Sequence, residues 1–172
     1  LPLYLYVSKA MGAVFHVAGP GEWLSPWGRG FSFLLKLPMV GCHLVTGGLV
    51  FGVSRTLGSD SRHALAASGA FLFNPGLTLA MDFYGFQDAF HTALAFGAAA
   101  ALLTGRGRMA AILGALVCLT KPQAVIYLLP IAVFGTRHFG RSWILKGSGI
   151  GLATVCLALM PFILHGTLDG VW

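Results

Sequence analysis

The stretch Leu116–Pro130, LVCLTKPQAVIYLLP, constrains this chain more than any other. A lysine, a proline and a glutamine stand side by side in it. Uncharged, mostly apolar sequence lies on both sides, Met109–Leu119 upstream and Ala124–Phe134 downstream. A helical arm of about 13 residues rises about 20 Å, against a hydrocarbon core of roughly 30 Å, so neither arm crosses a bilayer alone. Pro122 removes a backbone donor and drives the residue before it away from helical angles. The pattern predicts two short helical arms meeting at a break, with Lys121 at the break. Such a break is tolerated at membrane depth only where protein or a water-filled cavity surrounds it. A lysine held there is a functional candidate and calls for an anion.

Composition decides the class. The 172 residues are 56% hydrophobic and 9% charged, against about 25% charged in a soluble domain. This predicts an all-α, polytopic transmembrane helical bundle, one domain over 1–172, with an exoplasmic or interfacial segment at 1–30 and transmembrane helices within 31–164. The chain starts at Leu1 rather than Met and stops at Trp172 just after an apolar run, and it reads as a fragment of a longer membrane domain. A net charge of +6 would suggest nucleic acid in a soluble chain. Here the basic residues fall mostly in short connections between apolar runs, so topology accounts for them and no nucleic-acid partner is expected. Cys42, Cys118 and Cys156 lie in apolar runs without CxxC spacing, and the six histidines form no HxxxH pair. Neither disulfide, metal nor cofactor is expected.

In chain order, Leu1–Val17 reads as an interfacial helix or the tail of a longer span, and Ala18–Gly30 as a loop with Trp23 and Trp27 at the interface. Phe31–Val53 is the first convincing span. Ala64–Met81 is the second, with Asn74–Pro75 as a kink inside it. Asp82–Asp88, DFYGFQD, reads as a tight polar loop. Phe90–Leu103 is the core of a third span that starts near Phe86. GRGR at Gly105–Arg108 leads into the broken pair, Arg137–Lys146 makes another basic connection, and Gly147–Leu164 is the last span. The positive-inside rule puts Arg55/Arg62, Arg106/Arg108 and Arg137/Arg141/Lys146 in the cytoplasm. The Asp82–Asp88 loop and Lys121 then face the exoplasmic side, with the segment around Pro2–Tyr4.

That arrangement gathers a constellation. Lys121 supplies a cation for a phosphate, and Gln123 adds donors and an acceptor. Asp88 and Asp82 are suited to hold a hydroxyl, pair with Lys121 or bind a hydrated cation. A lipid-linked phosphate needs this mixture of positive charge, hydroxyl-reading carboxylates and apolar walls. The plain alternative is that Lys121 and Asp88 only neutralise each other and hold helices together. His43 and His91, on apolar faces, read as packing residues, and Phe83, Tyr84 and Phe86 as an interface belt.

Taken in order, LLKLPMVGCHLVTGGLVFGVSR, FNPGLTLAMDFYGFQDAF and LVCLTKPQAVIYLLP resemble the GT-C superfamily of polytopic glycosyltransferases. The likeness is greatest to mannosyltransferases related to the second GPI mannosyltransferase, many of which read NP, then W-G-Q-x-D, then T-K-P-Q. Asn74–Pro75 and Thr120–Gln123 match, and Tyr84, Gly85 and Asp88 stand at the W, G and D positions. Phe86 replaces the usual glutamine, with Gln87 beside it. His43 stands where K-L-P-x-x-x-x-D has an aspartate. Leu1–Tyr6 is similar to the Y-P-P-L-Y segment that closes the family's first exoplasmic loop. The resemblance implies transfer of a hexose, mannose first, from a polyprenyl- or dolichyl-phosphate carrier to a hydroxyl on a glycan or lipid acceptor at the exoplasmic side. It implies a substrate site of Lys121, Gln123, Asp88, Gln87, Tyr84 and Asp82, and a catalytic base upstream of Leu1. The Gly/Ala-rich sequence leans toward a bacterial cytoplasmic membrane, with the endoplasmic reticulum as the eukaryotic equivalent. A secondary transporter with a broken-helix site and a non-catalytic membrane subunit are the other readings. A transporter predicts a second, symmetry-related broken pair, and the sequence shows none.

Overall fold

The computed structural model describes residues 2–18, 29–79 and 88–164, and their regular structure is helical throughout. Of the loop expected at Ala18–Gly30, Ala18 ends α1 and Arg29–Gly30 begin α2, while its remainder, most of DFYGFQD and the segment after Leu164 lie outside the described residues, and with them Asp82, Tyr84 and Gln87. The helices are α1 (Pro2–Ala18), α2 (Arg29–Thr56), α3 (Ser61–Leu72), a single turn α4 (Pro75–Leu77), α5 (Asp88–Leu103), α6 (Gly107–Cys118), a 3-10 helix (Pro122–Tyr127), α7 (Leu128–Phe139) and α8 (Ser142–Leu164). α5 packs between α2 and α6, α3 lies on the outer flank of α2, and α8 on that of α6. α7 closes over α5, α6 and α8.

Small residues set the close approaches. One core cluster joins Ala98, Ala101 and Leu102 of α5 to Ala110 of α6 and Ile131 of α7. A Cβ on Gly107 would sit 2.6 Å from Trp143 Nε1, and one on Gly135 would fall on the ring of the same tryptophan. Trp143 thus ties the start of α6, the end of α7 and the start of α8 together. A second cluster sets Met39 of α2 against Ala89 of α5, while Leu49 of α2 reaches the level of Gly97, so these two helices run parallel. Ser68 Oγ of α3 donates to the Gly47 carbonyl (2.8 Å), and Phe71 packs edge-on against His43, so α3 returns antiparallel to α2. These pairings bring Arg55, Arg62, Arg106, Arg108, Arg137 and Arg141 to one end of the bundle. Asn74, Asp88 and Lys121 lie at the other.

Two helical segments are long and apolar enough to cross a membrane, Lys36–Thr56 and Ser142–Leu164. Neither is a buried core helix. Only 6% of the residues in the apolar window of α8 are buried, and Leu145, Leu152, Leu157 and Leu164 are exposed on it. The remaining helices are shorter, and the expected span Ala64–Met81 is corrected. α3 is 12 residues long and stops at Leu72, about 18 Å of helix. Asn74–Pro75 is a stop and restart rather than a kink. Asn74 takes extended angles (φ −66°, ψ 115°), and its Oδ1 accepts from the N–H groups of Gly76 (3.0 Å) and Leu77 (3.2 Å). Pro75 fills the first helical position, where its missing N–H costs nothing.

One connection also differs from expectation. The basic run Arg137–Lys146 is helical except for Gly140–Arg141, because Gly140 turns the chain with φ +81°. Asp88, where the polar loop and the expected start of the third span overlap, lies in the first turn of α5. At the arginine end, Asp60 caps α3. Its Oδ1 accepts from the His63 N–H (2.8 Å) and faces the His63 ring Nδ1 at 2.8 Å. The backbone bond first, and the ring contact second, hold its carboxyl below the usual aspartate range.

Candidate functional site

The break at Lys121 is built by proline chemistry. α6 ends at Cys118, Leu119 and Thr120 make a tight turn, and Lys121 is fully extended (φ −151°, ψ 144°), as a residue before proline prefers. The chain then winds as a 3-10 helix over Pro122–Tyr127 before α7 begins at Leu128. Pro130 accounts for that switch. An α-helix continuing through it would need its missing N–H and would clash with the carbonyl four residues back. Starting the α-helix at Leu128 leaves Pro130 in the first turn, where no intrahelical donor is required. The two arms are therefore present as expected. The second is longer than its apolar sequence, because α7 runs on through Arg137 to Phe139.

The carbonyls at the end of α6 are satisfied by Thr120 and by α1. The Val117 carbonyl accepts from the Thr120 N–H (3.0 Å) and from Thr120 Oγ1 (2.5 Å), and Thr120 is buried. The Leu119 carbonyl accepts a long bond, 3.5 Å, from the Leu3 N–H in the first turn of α1. The segment around Pro2–Tyr4 is thus drawn to the break as expected. Tyr6 fixes α1 further, donating to the Ala158 carbonyl (2.7 Å) and meeting Phe162 edge-on.

The Lys121 side chain spans the gap to α5, where Nζ donates to Asp88 Oδ1. Asp88 occupies the first turn of α5, where the helix dipole also favours its negative charge. The pair is neither sealed nor free, with 32% of the lysine side chain and 39% of the aspartate side chain exposed. Gln123 is exposed on the 3-10 helix and makes no hydrogen bond to either partner. The described members of the expected site thus separate into a joined pair, Lys121 and Asp88, and a neighbour one turn away, Gln123.

A third group belongs to the pair. His91, one turn along α5 from Asp88, places Nδ1 3.7 Å from the same Oδ1 that holds Lys121. Its side chain is only 12% exposed, and Nδ1 is buried without a hydrogen bond among the described residues. Its ring lies 5.8 Å from that of Tyr127. The sequence reading assigned His91 to packing. The missed signal is the spacing Asp88–His91, which faces both groups the same way once Asp88 is helical.

Tyr127 also begins an apolar groove of about 290 Å³ between α5 and α7. Ala95, Ala99 and Leu102 line one wall, and Pro130, Ile131 and Phe134 the other. Asp88, His91, Ala95, Ala99 and Leu102 form one stripe along α5 at helical spacing. The polar group therefore sits at the head of the groove, which follows α5 for about 12 Å. A second apolar crevice of about 350 Å³ lies between α6, α7 and α8, walled by Gly114, Ala115, Gly147 and Gly151. Among the described residues no cluster of histidine, cysteine or carboxylate side chains is placed to hold a metal ion.

No family model matches the chain, and no curated protein or solved structure matches it either.

Proposed function

We propose that this chain is part of a polytopic membrane glycosyltransferase of the GT-C kind, moving a hexose from a polyprenyl-phosphate carrier to a hydroxyl acceptor at the exoplasmic face. The observation that carries the reading is a half-exposed lysine at a helix break, facing a carboxylate, at the head of an apolar groove. An isoprenoid phosphate has the same two parts in the same order, an anionic head and a long apolar tail. The gathering of six arginines at one end and Lys121 at the other supports a cytoplasmic arginine end and an exoplasmic break. The uncovered apolar surface of α8 supports a lipid environment for the bundle.

In this reading Lys121 works on the leaving group. The carrier phosphate gains negative charge as the glycosidic bond breaks. A cation fixed in a low-dielectric site stabilises that charge more in the transition state than in the ground state. Asp88 holds Lys121 in the resting site and reads a sugar or acceptor hydroxyl once the lysine turns to the phosphate. Gln123, with Asp82, Tyr84 and Gln87 from the preceding loop, serves the same hydroxyls. The acceptor proton goes to a carboxylate outside this sequence.

In the full-length protein Lys121→Met removes a transition-state stabiliser of this kind, which costs about 3–4 kcal/mol, a factor of roughly a hundred to a thousand in turnover. Methionine keeps the unbranched stem, so insertion and accumulation persist. Consumption of polyprenyl-phosphate sugar in membranes measures the effect. Near-normal turnover by Lys121→Met, or recovery in the Lys121→Met/Asp88→Asn double variant, would make the pair a scaffold.

One observation bears on a transporter as the second reading: helical structure is also interrupted at Asn74, as a single stop and restart where a transporter predicts a symmetry-related broken pair. A transporter of this design exchanges a polar solute across the bilayer without consuming any lipid-linked sugar, so the same membranes separate the two.

A further inference from the structure

We propose that His91 is a positioning residue that takes over the Asp88 carboxylate when an anionic phosphate draws Lys121 away. The inference rests on the reading of Lys121 as a phosphate-binding residue. It starts from a geometric competition. Asp88 Oδ1 accepts from Lys121 Nζ, while His91 Nδ1 waits 3.7 Å from the same oxygen, buried and without a hydrogen bond among the described residues. A lysine and a protonated imidazole on one carboxylate oxygen bring two positive charges together, which disfavours holding both at once. The structure shows the state in which Lys121 holds it.

Charge balance gives the exchange its direction. In the resting site Lys121 and Asp88 sum to zero. A phosphodiester bound by Lys121 leaves Asp88 partly buried, uncompensated and close to a like charge, which is costly. Protonation of His91 restores neutrality, and a rotation that closes the 3.7 Å gap gives the carboxylate a charged donor. Binding of a phosphodiester therefore takes up one proton, carried on the His91 imidazole. Other groups near His91 do not take the role. Tyr127 faces it from the 3-10 helix through its ring. On α2, Cys42 packs in the cluster around Met39 and Ala89, and His43 is engaged with Phe71.

Selective 15N-histidine NMR of the full-length protein in detergent tests this, with the His91 signals assigned by His91→Asn. Without ligand, Lys121→Met removes a competing cation, and the His91 titration midpoint rises by about one pH unit or more. Asp88→Asn lowers it. A purely packing histidine would not move in opposite directions, and absence of the opposed shifts overturns the exchange. In the wild-type protein, farnesyl methyl phosphate, a diester with a constant single charge from pH 5 to 8, raises the His91 midpoint as Lys121→Met does. It binds about tenfold more tightly below that midpoint than above it. His91→Leu flattens this pH profile and weakens binding, and His91→Asn, whose amide donates from near the Nδ1 position, recovers affinity but not pH dependence. Opposed shifts in the variants with no diester binding would uphold the exchange and sink the phosphate reading. Diester binding that is pH-independent and indifferent to His91→Leu would do the reverse.

Discussion

Helices are interrupted before two prolines in this chain, and the residue in front of each uses its side chain differently. Asn74 turns back on its own backbone and accepts from the first two N–H groups of the turn that follows. Lys121 reaches across to Asp88 on another helix, and the 3-10 helix it precedes has no side-chain cap. The backbone at the two sites is alike, extended before proline. The contrast comes from the side chains. An amide oxygen accepts, so asparagine closes its break locally, whereas an ammonium only donates and lysine cannot cap a helix start. One break is finished within itself. The other stays uncapped and sends a charge across to a second helix.

Lys121→Asn is the most severe way to break that comparison. It makes the second site chemically equal to the first. Transfer activity falls by the same hundred- to thousand-fold as in Lys121→Met, because the cation is gone. The asparagine variant is nevertheless the more stable of the two, by up to about 1 kcal/mol, since it supplies the missing cap. Denaturant unfolding in one detergent, read beside the transfer assay, checks both halves. Equal stability of the two variants would mean that the open 3-10 start is satisfied in some other way.

Asn74→Ala is the converse and the effect is smaller. Losing the cap costs about 1 kcal/mol of stability, while turnover per folded molecule stays within about twofold of wild type. Asn74→Asp keeps an acceptor and restores stability. Transfer activity that collapses in Asn74→Ala with folding intact would place Asn74 in the site.

How much of this was legible in the sequence follows from the same pair. The Lys121 break could be read because a charge and a proline coincide between arms too short to span. The Asn74 break was hidden because Ala64–Met81 is a continuous apolar run of span length. Yet asparagine followed by proline is also a helix-start signal, a cap and a first-turn residue together, and the structure obeys that signal. Asp88 stands where the polar loop and the expected start of the third span overlap, and a carboxylate at a helix start is favourable. His91 reads as packing because a histidine on an apolar face carries no signal of its own, and its i, i+3 relation to Asp88 gains meaning only when the two are considered as one helix face. The groove between α5 and α7 could not be read at all. Its walls are alanines, aliphatics and aromatics, the same apolar types that build the closed core beside it.

The smallest effect concerns a third cap, Asp60, which does for α3 what Asn74 does for the turn after it, but with a titratable oxygen. Its carboxyl is held below the usual aspartate range, chiefly by the His63 N–H and then by the His63 ring. A depressed value in the folded state means that the cap contributes fully above the ordinary aspartate value and is lost as pH falls through the lowered one. Asn74 has no such dependence. Acidification should therefore loosen the start of α3 while the turn at Pro75–Leu77 is unchanged, an effect kept small by the exposure of Asp60 and His63. The amide signals of His63 and Gly76 report the two sites in one NMR titration. His63 moves with a midpoint below that of a free aspartate, and Gly76 stays flat. Asp60→Asn keeps the bond and removes the midpoint. If His63 instead followed its own imidazole, with its midpoint in the histidine range and unchanged in Asp60→Asn, the ring contact and not the cap would set the start of α3.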